Sequence, residues 1–198
     1  MKKLTTLLLC GLGLLASAQA SNITLGSAVA LNGTFFTGNG GWSLGTNALP
    51  SDLVNGTFQP TAQQWNFNSV WWNGNDGPTN NIVVTLPGTF NITDFTVQAD
   101  DNDTYELDYL GSDLLWHDAW DIPTFGNFGL QTRSVTLGSP ITTNALRFTA
   151  TGGDGLYAVS QIQANGSSLL VPESAFTLSL IAGALGLLAL AGRRRRAV

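Results

Sequence analysis

Aromatic rings set beside amides and carboxylates are the side chains in this sequence best suited to chemistry, and that chemistry is recognition. Six tryptophans occur, and five fall in two groups: Trp65, Trp71 and Trp72, then Trp116 and Trp120. The first group runs into Asn73, Gly74, Asn75 and Asp76, and the second encloses His117 and Asp118. An indole face packs on the apolar C–H face of a sugar while neighbouring amides and carboxylates take its hydroxyls. Trp71, Trp72, Asn73, Asp76, Trp116, His117, Asp118 and Trp120 are therefore the candidate ligand-binding residues. Large aromatics also fill cores. Adjacent residues of a strand point to opposite faces, so one of Trp71 and Trp72 is expected to be exposed or covered by a loop.

Bond-breaking chemistry has less to draw on. His117 is the only histidine, and on a strand it would face away from Asp118. One histidine without a mature-region cysteine cannot build the usual zinc sites. Twelve carboxylates between residues 21 and 170 contain some pair at any chosen separation, so a glycosidase-like pair carries no weight. The expectation is a non-enzyme with no catalytic residues. The run Asp100-Asp101-Asn102-Asp103 lacks the glycine and the twelfth-position glutamate of an EF-hand loop, and is expected to be a solvated acidic turn.

The elements that must position these residues read as strands. Asn-Gly at 32–33, 39–40, 55–56, 73–74 and 165–166, and Asp-Gly at 76–77 and 154–155, are turn dipeptides that accept positive φ. Between them Phe95 and Val97, Tyr105, Leu107 and Tyr109, Val135 and Leu137, Leu146 and Phe148, and Tyr157 and Val159 alternate with polar residues, while Ile82-Val83-Val84 is continuously apolar. Period-two alternation between turn signals predicts an all-β fold, a single β-sandwich.

The two ends differ in kind from this middle. Lys2 and Lys3, an apolar run to about Ala16, and Ala18-Gln19-Ala20 have the layout of a secretory signal peptide, with cleavage expected after Ala20. Residues 174–192 are uncharged and long enough for a transmembrane helix, and Arg193, Arg194, Arg195 and Arg196 follow as a cytoplasmic tail. The expected organisation is a signal peptide over 1–20, a surface domain over 21–167, a linker over 168–173, the helix and the tail 193–198. Val171-Pro172-Glu173, the apolar stretch and the arginines together resemble the PEP-CTERM sorting signal of Gram-negative bacteria, with Ser174 where a second proline is usual. That resemblance implies processing by an exosortase-like enzyme, transient membrane anchoring, and release to the cell surface or exterior.

Six of the eight basic residues lie in those ends. Residues 21–170 carry twelve acids against Arg133 and Arg147, a net charge of −10, so nucleic acid is excluded as a partner. Cys10, the only cysteine, falls within the signal, so the domain must rely on its core.

Four segments of the middle are similar to discoidin-type modules, the galactose-binding-like jelly rolls: Asn22 to Gly26, Ser51 to Thr57, Arg147-Phe148-Thr149 and Tyr157 to Gln163. The resemblance implies a jelly roll whose last strand lies beside the first, with a ligand site in the loops of one end. It also implies a structural calcium between Asp52, Asn55 and Thr57 and the position of Gln161. Asn55 and Gln161 are neutral where that family has acids, so no cofactor is expected and calcium is disfavoured. The functional expectation is an exported, non-catalytic surface protein that binds glycan or exopolysaccharide. The alternative is a structural envelope or biofilm-matrix protein without a small-molecule site.

Overall fold

The computed structural model describes residues 20–36, 48–74, 77 and 79–169. The signal segment 1–19, Asp76, and the sorting-signal residues Val171, Pro172, Glu173 and Arg193 to Arg196 lie outside the described residues, as do the expected helix and tail.

Among the described residues eight strands are formed: β1 (Ser21–Asn22), β2 (Ala28–Asn32), β3 (Val70–Asn73), β4 (Asn81–Asp100), β5 (Thr104–Leu110), β6 (Trp116–Ile122), β7 (Leu130–Gly152) and β8 (Leu156–Ser168). All pairings are antiparallel. A 3₁₀ turn, Pro50–Val54, buries Leu53 and Val54. Among the described residues no helix is long and apolar enough to cross a membrane.

β4 and β7 run side by side as one long ribbon that belongs to both layers. Asn81 to Thr85 pairs with β2 on one side and with Ala145 to Thr149 on the other, and β5 and then β6 extend that sheet beyond β7. Phe90 to Ala99 instead pairs with β8, which is edged in turn by β1 and β3. The ribbon changes layers where its register shifts between Thr85 and Phe90, at Pro87-Gly88. A proline and a glycine inside a strand mark such a bend. The sequence expectation of separate short strands at 82–84 and 95–97 is thus corrected to one strand, and likewise for 135–137 and 146–148.

The alternating residues occupy the faces expected of them. Ile82, Val84, Phe95, Val97, Tyr105, Leu107, Leu146, Phe148, Tyr157 and Val159 form one buried core, with Val135, Leu137 and Tyr109 packed against its margin. The jelly-roll expectation that the closing strand lies beside the first also holds, with Ser21 opposite Gly166. One turn expectation does not. Asn165-Gly166 lies inside β8, opposite a shift in β4 between Ile92 and Asp94. A Cβ on Gly166 would fall on the Asn91 carbonyl oxygen, so this glycine serves close approach of two strands.

The sandwich has two distinct ends. The base holds the layer-changing bends, the β5–β6 hairpin, Ser21 and Leu169, whose N–H donates to the Thr89 carbonyl (3.2 Å). The apex holds the β3–β4, β4–β5, β6–β7 and β7–β8 connections.

Candidate ligand-binding site

Trp71 and Trp72 point to opposite faces of β3, and both are buried. Trp72 is fully enclosed in the main core, where Phe35 meets it edge-on at 5.2 Å. Trp71 lies on the outer face with Leu130 and Ala158. Phe36 stacks on it at 4.0 Å and Trp65 closes it edge-on at 5.1 Å. The second tryptophan is covered by a loop, and neither indole face is open to a ligand.

The β6 group divides by strand parity. His117 turns to Asp113, donating from Nε2 to both carboxylate oxygens at 2.9 and 3.0 Å. That bond holds the Asp113 carboxyl below the usual range. Asp118 points to the other face, opposite Asp108, so His117 and Asp118 do not act together. Trp116, on the Asp118 side, lies under the Arg147 guanidinium, 4.9 Å from the ring centre. Arg147 also pairs with the Asp108 carboxylate at 2.7 Å. Trp120 is half-buried against the core. A hydrogen bond to Asp108, with burial and the charges of Asp108, Asp118 and Asp121, raises the Glu106 pKa to about 7.

The calcium set does not fit a hard cation. Asp52 accepts the Leu49 N–H at 2.8 Å, and the Asn55 side-chain oxygen accepts the Thr57 N–H at 2.7 Å. Gln161 is fully buried with neither amide atom hydrogen-bonded among the described residues. One carboxylate, already engaged, supplies too little anionic oxygen.

The acidic run overturns its expectation. Asp100, Asp101 and Asp103 are buried, and only Asn102 stays exposed. Tyr105 donates its hydroxyl to Asp103 at 3.0 Å, the Asp154 N–H adds a bond at 3.2 Å, and buried Arg133 donates to the Asp100 carbonyl. Burial raises the Asp100 pKa to about 8 and that of Asp103 to about 6. The turn is enclosed because the β6–β7 loop closes over it, with the Phe125 N–H donating to the Asp101 carbonyl at 2.8 Å.

That loop carries rings more exposed than those of Trp65, Trp71, Trp72, Trp116 and Trp120. Phe125 and Phe128 are 50 % and 58 % exposed. Their backbone is held at three points: the Phe125 bond just given, Gln131 donating to the Phe128 carbonyl at 2.8 Å, and Leu130 donating to the Gln63 carbonyl at 2.8 Å. Beside the loop at the apex, Asn102 donates to the Asp154 carboxylate at 2.8 Å, both exposed, and Gly74 donates to the Gly155 carbonyl at 2.9 Å, which brings exposed Asn73 to the same end. Of the first predicted group, Asn73 is therefore exposed at this end while Trp71 and Trp72 are buried. Phe125 and Phe128 were absent from the sequence candidates. Their signal was two phenylalanines spaced by Gly126-Asn127 in a segment without period-two alternation.

No family model matches the chain, and no curated protein matches it. Solved structures do. A family 32 carbohydrate-binding module from Streptococcus pneumoniae EndoD aligns with a TM-score of 0.52 at 15 % identity, covering 73 % of this chain and 98 % of its own. The family 32 module of C. perfringens NanJ, in complex with galactose, aligns at 0.51 and 14 % identity, covering 74 % and 99 %. A Streptococcus pneumoniae fucose-binding module aligns at 0.52 and 12 % identity, covering 73 % and 96 %. At these identities the likeness is one of fold: the chain has the jelly-roll architecture of these modules.

Proposed function

We propose that this protein is a non-catalytic carbohydrate-binding module that holds a neutral glycan at its apex. The observation that carries the reading is the pinned β6–β7 loop, which keeps Phe125 and Phe128 in solvent at the end that also exposes Asn73, Asn102 and Asp154. Exposed rings on a restrained loop offer stacking faces at little cost in ordering, and flanking amides and a carboxylate suit sugar hydroxyls. Its acidity repels anionic polymers and leaves neutral ones. The carbohydrate-binding modules that share the fold support the same class of ligand. Export and membrane sorting belong to the same proposal, on the sequence of residues 1–20 and 171–198.

Burial of Trp71 and Trp72 favours a second reading, a structural envelope or matrix protein without a sugar site. A glycan array probed with the full chain in detergent separates the two. Binding to neutral glycans that is sharply weakened in a Phe125→Ala/Phe128→Ala variant is expected. An array silent for the unmodified protein supports the structural reading, and binding indifferent to both rings overturns the apex site.

A further inference from the structure

We infer that the base of the sandwich holds a second saccharide site, in a cleft between the β5–β6 hairpin and the bend of β7. The cleft has a volume of about 430 Å³ and is lined by Tyr109, Ser112, Asp113, His117, Ile141 and Thr142 among others. That size lies within the range of small-ligand pockets. One wall is aromatic: the Tyr109 and His117 ring centres lie 5.3 Å apart, with the ring planes tilted by 30°. Opposite it, Ile141 supplies an apolar surface and Thr142 a hydroxyl, oriented by its 2.7 Å bond to Asn91.

The polar groups are fixed before any ligand arrives. Asp113 receives both His117 contacts and the Leu115 N–H at 3.1 Å, while Gly111 and Leu115 close the hairpin at 2.8 Å. A Cβ on Gly111 would lie 2.5 Å from the Asp113 carboxylate and 2.7 Å from the imidazole, so glycine leaves the pair its room. An aromatic wall, a positioned carboxylate and the Ser112 and Thr142 hydroxyls match a neutral pyranose, whose apolar face stacks while its hydroxyls bond. The cleft stands on its own lining and does not require the apex to bind. With sites facing opposite ways, one domain can join two polymer chains.

His117 is the only histidine of the chain, so its ring resonances report on this cleft alone. The full chain in detergent micelles, without a histidine tag, is titrated with D-galactose, L-fucose and D-glucose. A saturable shift of the His117 signals with at least one sugar is expected. Thr142→Val should weaken that response about five- to tenfold, the worth of one hydrogen bond. The response should persist in Phe125→Ala/Phe128→Ala. Failure of all three sugars to move the His117 signals overturns the second site, whatever the apex does. A shift abolished by the apex variant also overturns it, because the two ends would then be one site.

Discussion

Trp71 and Trp72 are neighbours in sequence and are buried in different places, one among Phe36, Trp65 and Leu130, the other in the main core. Replacing either with alanine is expected to cost about 3–5 kcal/mol, as for other large-to-small substitutions in packed interiors. A melting curve that moved little for Trp71→Ala would mean its loop does not seal it. That the two indoles must face apart was legible from strand parity; which loop covers the outer one was not, because Phe36 reaches it from far along the chain. The buried acids were hidden for a related reason. Nothing in Asp100-Asp101-Asn102-Asp103 indicates that a distant loop will close over it. Asp100 titrates near 3.8 when unfolded and about 8 when folded, and Asp103 about 6. The folded domain therefore holds more protons between those values, and its stability should fall as pH rises from about 4 to about 8. Asp100→Asn should flatten that decline. A domain that instead gained stability across the window would show that these carboxylates are ionised and compensated.

At the scale of elements, period-two alternation located the core faces, but it could not join them. Pro87-Gly88 looks like a break in sequence, and in the fold it is the bend that lets β4 serve both layers. Gly166 shows the converse, a turn dipeptide drawn into a strand. Gly166→Ala forces a Cβ onto the Asn91 carbonyl oxygen, so β4 and β8 must separate locally. The variant is expected to melt well below the parent, whereas Gly126→Ala, on the open β6–β7 loop with no atom near its Cβ, should lose less, its positive φ being the only strain. Equal losses at both positions would argue that close approach at Gly166 matters no more than backbone conformation.

For the whole molecule, Ser21 and Leu169 both lie at the base. The segments read as signal and sorting tail therefore depart from the end opposite Phe125 and Phe128. A domain carried on a membrane through that base would hold its apex outward, where a glycan of the surroundings meets it first. The aromatic and amide content that suits a glycan was legible in the sequence. The exposed rings of Phe125 and Phe128 were not, because the tryptophans drew attention to positions such as 71 and 72 that the core requires. The most direct measurement is saturation-transfer NMR with galactose and fucose. In deuterated protein protonated only at phenylalanine, which the base cleft lacks, irradiating the aromatic resonances should pass magnetisation to the sugar C–H protons, and Phe125→Ala/Phe128→Ala should remove most of it with the melting temperature unchanged. Transfer from neither sugar, or transfer that survives loss of both rings undiminished, would contradict a glycan site at the apex.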